Sequence, residues 1–264
     1  MTIDLNMSNE DYHALPSISS SAVKTVSING LARWKFGQRK SSTAFDMGTA
    51  AHALALEPEA DLVRRGPETR RGNVWKEAYE EAQSAGALLL TAADYDQAMG
   101  IADSVKAHRE ASRLLSGKPI IEASIFAHDP SVGLDLRCRP DAWRRDIGCV
   151  VDLKTTMSAS PEEFAKSAMR FGYHIQEAFY RRVMALAGEP IDRFIFIAVE
   201  KEPPFVTAVY ELDSNARTEA DAAVDDALAQ IASAQSSGVY PTGCEDGVTV
   251  LALPSWGFRF NRQP

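Results

Sequence analysis

The chain has 264 residues, enough for one large domain or two small ones with a well-buried core. Hydrophobic residues make up 45% and charged residues 24%, the balance of a soluble globular protein, and no stretch approaches the roughly 20 apolar residues that a membrane span needs. The formal charge of −8, from 28 basic against 36 acidic side chains, counts against a uniformly basic nucleic-acid binder and leaves a local basic path open.

The opening MTIDLNMSNEDYH lacks the basic and apolar regions of a signal peptide, so a cytoplasmic location with no membrane partner is expected. Three cysteines, Cys138, Cys149 and Cys244, argue against a disulfide framework and against a four-cysteine zinc or iron–sulfur site. Cys138 and Cys149 lie in apolar, strand-like runs and read as buried inert thiols.

In chain order, Ser19 to Ser21 precede AVKTV and read as a helix N-cap region. A helix is expected from about Thr43 to Glu57, stopped by Pro58, and the charged stretch Glu59 to Gly72 reads as an exposed loop. Two helices follow, about Val74 to Ala85 and Ala92 to Leu115. Then Pro119 to His128 alternates apolar and polar positions as a strand does, Gly133 to Trp143 and Gly148 to Lys154 read as two more strands, and the short polar turn Arg144-Arg145-Asp146 predicts an antiparallel meander. Pro161 to Arg170, capped by Ser160, and Tyr173 to Ala187, closed by Gly188 and Pro190, read as helices. Arg193 to Val199 and Phe205 to Leu212 read as paired strands, followed by an alanine-rich helix from about Ser214 to Ala234 and a short apolar run, Val248 to Leu253. This order predicts one α/β domain over residues 1–264, a central mixed sheet flanked by helices, with residues 1–117 mainly helical and 118–264 carrying the sheet.

The chemistry centres on Arg139-Pro140-Asp141 and, eleven positions after Asp141, on Asp152-Leu153-Lys154. Side chains alternate across a strand, so Asp152 and Lys154 share a face, and a short turn would bring Asp141 beside Asp152. Two carboxylates about 4 Å apart repel by on the order of 4 kcal/mol at an effective dielectric near 20. A divalent cation offsets that, and Mg²⁺ favours one or two carboxylates with water and substrate phosphate. A neighbouring lysine would then stabilise the charge that develops at phosphorus. Asp-x-Lys alone arises by chance about once per 300 positions, so the pattern by itself reads equally as a strand-end salt bridge. Basic residues cluster at Arg33 to Lys40, Arg64 to Arg71 and Arg137 to Arg145; only the last overlaps the acidic motif. The hydroxyls of Ser19 to Ser21 and Thr155-Thr156 could meet phosphates, though capping and strand-end roles are the commoner use of such residues.

The strings CRPDAW, VVDLKTT and HIQEAFY resemble the PD-(D/E)XK nuclease superfamily, and more closely the RecE-type exonucleases (exodeoxyribonuclease VIII) of phages and prophages. GTAAHALALEP, YHALPSISSSAVK and the closing LPSW are similar to the same family, so the resemblance spans nearly the whole chain. It implies a restriction-endonuclease-like core and a metal site formed by His52, Asp141, Asp152 and the backbone carbonyl of Leu153, completed by Glu122. Lys154 would be the catalytic lysine, with Asp141, Asp152 and Glu122 also catalytic. Gln176 and Tyr180, four apart on one helix face, match the family's Q-x-x-x-Y motif and would reach DNA or orient the lysine. Arg139, with Arg137, Arg144 and Arg145, would line a basic DNA path. The implied activity is 5′-to-3′ digestion of linear double-stranded DNA with Mg²⁺ (Mn²⁺ substituting), leaving 3′ tails for a single-strand annealing protein. The implied assembly is a homo-oligomer, a tetrameric ring. The alternatives are a structure-specific or restriction-type endonuclease of the same fold, and a non-catalytic DNA-end-binding recombination partner.

Overall fold

The computed structural model describes residues 2–38, 44–243, 247–248 and 250–252. The N-terminal part runs β1 (Thr2–Asp4), α1 (Asn9–Ala14), β2 (Ile18–Ser19), α2 (Ser20–Asn29), α3 (Leu31–Phe36), α4 (Ala44–Leu56), β3 (Val63–Arg65), α5 (Gly72–Ser84), β4 (Leu88–Leu90), α6 (Ala92–Ala107) and α7 (Arg109–Leu115). The rest runs β5 (Ile120–Ile121), β6 (Ser124–Asp129), β7 (Leu134–Cys138), β8 (Ala142–Arg144), β9 (Cys149–Thr156), α8 (Pro161–Phe171), α9 (Tyr173–Leu186), β10 (Arg193–Glu200), β11 (Thr207–Tyr210) and α10 (Ser214–Ser237).

The expected mixed sheet is present as five strands in the order β11-β10-β9-β8-β5, with β9 and β10 parallel and the other pairs antiparallel. The β9–β10 pair is parallel because α8 and α9 carry the chain between them, as a crossover requires. Residues on these two strands alternate between two cores. Val150, Phe194, Phe196 and Ala198 pack with α9 and α10 on one face, while Val151, Leu153, Ile195, Ile197 and Val199 pack with α4 and α6 on the other. Strands buried on both faces explain why β10 reads as the unbroken apolar run RFIFIAV.

The expected three-strand meander is instead divided between two sheets. β6 and β7 pair with each other and, with β1 and β2 at the edges, form a separate four-stranded sheet. Both predicted strands break at the same level, one at Arg139-Pro140-Asp141 and the other at Glu122. Pro140 has no N–H to give a ladder, and Glu122 adopts a left-handed backbone with φ 48°. Its N–H donates to the carbonyl of Asp141 at 3.2 Å, which ties the two breaks together. The mainly helical first part therefore also supplies two edge strands of this second sheet.

Four smaller expectations change. The stretch Glu59 to Gly72 contains β3, which pairs in parallel with β4. The single helix expected from Ala92 to Leu115 breaks at His108, whose Nδ1 accepts from the Ala111 N–H and caps α7. Neither Ser19 nor Ser160 makes a side-chain cap bond, although both occupy N-cap positions. Cys138 and Cys149 are buried free thiols, as read; Cys244, Lys40 and the closing LPSW lie outside the described residues. Among the described residues, no helix is long and apolar enough to cross a membrane.

Candidate active site

The two sheets part at one end of a cleft of about 800 Å³. Its lining includes His52, Glu57, Glu122, Asp141, Lys154, Gln176 and Tyr180. β8 and β9 pair through Ala142–Val151, which places Asp141 and Asp152 side by side just beyond the last paired residues. The Asp141 carboxylate accepts the Leu153 N–H at 2.7 Å, so the strand's own backbone fixes its position. His52 reaches in from α4 on the opposite face of the sheet, with Nδ1 3.5 Å from Asp141 Oδ2.

Asp152 is fully buried. Its Oδ2 accepts from Gln176 Nε2 at 2.6 Å, and its Oδ1 forms an ion pair with Lys154 Nζ. The Lys154 ammonium also lies 5.0 Å from the ring centre of Tyr173, a favourable cation–π position. Burial works against its charge, but Asp152 and Asp141 more than offset that, so Lys154 is held above the usual lysine range. Burial and the neighbouring Asp152 push Asp141 up to about 6, against the lowering effect of His52 and Lys154.

Of the two roles expected of the helical Gln176–Tyr180 pair, reaching DNA or orienting the lysine, the geometry bears on the second, because Gln176 holds the ion-pair partner of Lys154. Both residues are buried; Gln176 holds Asp152, and the Tyr180 hydroxyl donates to the Arg139 carbonyl at 3.0 Å. One helix face thus fixes both acidic strand positions, one through a side chain and the other through the adjoining backbone.

The expected basic path also gives way. Arg139 is buried, donating to Ser124 Oγ at 3.0 Å and to the Met7 carbonyl at 2.9 Å, and stacking 4.3 Å from the Tyr12 ring centre. Arg137 is likewise buried, against Leu15 and Ser17. Arg144 is locked onto Asp146 and the Leu114 carbonyl, and exposed Arg145 pairs with Glu189. Arg137 and Arg139 tie β7 and the segment after it to the N-terminal segment, Arg144 ties β8 to α7, and the three buried guanidinium groups are taken up by these contacts.

Glu122 lies at the cleft rim, half exposed, with Oε2 3.7 Å from Arg139 Nη1. Two cleft residues escaped the sequence reading. Glu57, at the end of α4, is pushed up by burial and by nearby Glu122. Lys24, on α2, also lines the cleft. A single lysine on an ordinary helix gives no periodic or spacing signal.

Among the described residues, no three His, Cys, Asp or Glu side chains already stand as a metal-ligand cluster, and the Asp152 oxygens are engaged by Gln176 and Lys154. The donor chemistry nonetheless fits a hard divalent cation: an imidazole beside a carboxylate, with a second carboxylate whose like charge raises the first. His52, Asp141 and Asp152 are the residues that would hold it.

A mixed sheet whose split carries an acid on one strand and Asp-x-Lys on the next defines the PD-(D/E)XK nuclease superfamily. Within it, this chain belongs to the family described as PDDEXK-like domain of unknown function (DUF3799), which matches residues 25–249. The fold is similar to the crystal structure of a protein from Eubacterium rectale provisionally named an exonuclease, with a TM-score of 0.63 and 17% identity over 94% of this chain and 96% of that one. A phage-related exonuclease from Haemophilus somnus 129PT aligns over 83% of this chain and 96% of its own, at 11% identity and a TM-score of 0.33, too low for structural argument. No curated protein matches the chain in sequence.

Proposed function

We propose that this protein is a Mg²⁺-dependent deoxyribonuclease, with Mn²⁺ able to substitute. The observation that carries the proposal is the buried unit Asp141–Asp152–Lys154, held by Gln176 at the end of an open cleft. When bound, the cation would lower the pKa of a water and neutralise charge on the phosphate. The chain's own residues do the rest. Asp141 and Asp152 present carboxylates fixed by a backbone N–H and by Gln176. Lys154 stays protonated at neutral pH and stands where it can stabilise the extra negative charge on the phosphoryl oxygens. His52 supports Asp141 from the far side of the sheet.

The finer reading rests on the resemblance of CRPDAW, VVDLKTT and HIQEAFY to RecE-type exonucleases. It is a 5′-to-3′ exonuclease on linear duplex DNA that leaves 3′ tails for an annealing protein and works as a homo-oligomeric ring. The test uses linear duplexes labelled at the 5′ or the 3′ end and a covalently closed circle, each in Mg²⁺ and in EDTA. The expected result is early release of the 5′ label, an intact circle and no reaction in EDTA. Early release of the 3′ label would overturn the polarity, and cutting of the circle would replace the exonuclease with an endonuclease.

A further inference from the structure

We infer that Lys24, Ser20, Ser21 and the N-terminal turn of α2 form a second phosphate seat, beside Lys154 in the cleft, that holds a DNA phosphate next to the scissile one. This rests on the nuclease reading of the site. All three side chains line the same cleft as Asp141 and Lys154. Ser20 is 8% exposed, and among the described residues its hydroxyl has no hydrogen-bond partner. Lys24 has no carboxylate within ion-pair distance among the described residues. It lies close enough to Lys154 for the two ammonium groups to repel, and burial with that repulsion pushes it down to about 8, against the raising effect of Asp152.

The placement of Lys24 is built rather than incidental. Its stem packs on Gly172, the left-handed junction between α8 and α9, where a Cβ would come within 3.1 Å of Lys24 Cγ. The same junction opens the helix that carries Gln176, so the lysine is registered against the helix that positions Asp152. A desolvated ammonium with no carboxylate in ion-pair contact is costly, and the Ser20 hydroxyl beside it is left to bond a ligand. α2 opens without a side-chain cap from Ser19, so its first turn, which carries Ser20 and Ser21, keeps N–H groups and a partial positive charge to offer an anion. One anion satisfies all of these groups, and in a nuclease cleft that anion is a phosphate of the substrate strand. It has two sources, an interior phosphodiester or a terminal 5′-phosphate, and the chemistry of the seat is common to both.

The test is fluorescence anisotropy of the full chain with labelled duplexes carrying a 5′-hydroxyl or a 5′-phosphate, in Ca²⁺ over a salt series. Mg²⁺-dependent cleavage is measured in parallel. Lys24→Gln is expected to weaken binding about 10-fold and to reduce the salt slope by about one, with Lys24→Arg restoring most of both. Ser20→Ala is expected to weaken binding about threefold. Loss with both duplexes assigns the seat to an interior diester, and loss confined to the phosphorylated one assigns it to the terminus. The melting temperature of Lys24→Gln should equal or exceed that of the parent, because an unpaired desolvated charge has gone. Unchanged affinity and slope in a parent that cleaves would overturn the seat alone; DNA binding without Mg²⁺-dependent cleavage would overturn the nuclease reading alone.

Discussion

The two walls of the cleft are built on opposite terms. On the β9–α9 wall, charges are buried and satisfy one another: Asp152 between Gln176 and Lys154, Asp141 on the Leu153 N–H. The facing wall, from the end of α4 through β3 and β4, presents mainly Ala53, Leu56, Leu62, Val63 and Leu88 to the cleft. Its ions lie outside, where Arg64, Arg65 and Arg70 pair with Asp61, Asp96 and Asp94 as exposed salt bridges. Buried charges depend on each other, because removing one strands its partner away from water. Exposed pairs are each backed by solvent and contribute little. The first wall is therefore expected to fail as a unit, and the second to tolerate change residue by residue.

The largest expected effect is on the buried wall. Lys154→Met should lower the single-turnover cleavage rate by about 10³-fold or more, and adding Gln176→Ala should cost much less than it does in the parent. Gln176→Ala alone is expected to slow turnover about 10–100-fold with a smaller change in KM, because it frees Asp152 without touching substrate. On the facing wall, Arg65→Ala should leave the rate within about twofold of the parent. Comparable losses from Gln176→Ala and Arg65→Ala would erase the contrast between the walls.

Arg139 sharpens the comparison from behind the site. Arg139→Gln should destabilise the fold by on the order of 2–3 kcal/mol in urea unfolding, since Ser124 and the Met7 carbonyl lose a charged donor. The salt slope of DNA binding should not change. A stable variant with a shallower slope would restore the basic path that the sequence suggested.

The effect furthest from the cleft lies on the back of α9. Burial pushes Glu177 from 4.5 to about 7, against Arg217 and Arg181, and its Oε2 has no hydrogen-bond partner. The folded protein thus keeps a proton that the unfolded chain has lost between pH 4.5 and about 7. Stability contributed by that proton is present at low pH and is lost as pH rises through this window, by up to on the order of 3 kcal/mol. Glu177→Gln should flatten the dependence of unfolding free energy on pH between 5 and 8, as read by urea titration. An unaltered slope would contradict the raised pKa.

Much of the site was legible because strand and helix periods place residues without help from the rest of the fold. Asp152 and Lys154 two apart share a strand face, and Gln176 and Tyr180 four apart share a helix face. What those faces meet was not legible. The helix face meets the acidic strands, a tertiary fact that no local pattern carries. The division into two sheets depends on Pro140 and on the left-handed backbone at Glu122, and nothing in the residue type glutamate announces a positive φ. The arginines misled for a related reason: sequence records their charge, while only packing shows Arg139 and Arg144 closed in by carbonyls and carboxylates. β3 was missed because three residues are too few to show an alternation.

The central claim is that Asp141 belongs to a metal-dependent hydrolytic site. Its most direct test is cleavage of a linear duplex by the wild-type chain and by Asp141→Ala across a Mg²⁺ titration. The account predicts Mg²⁺-dependent digestion by wild type and a loss of about 10³-fold in the variant at every Mg²⁺ concentration. Equal digestion by the two proteins, or none by either, would contradict it.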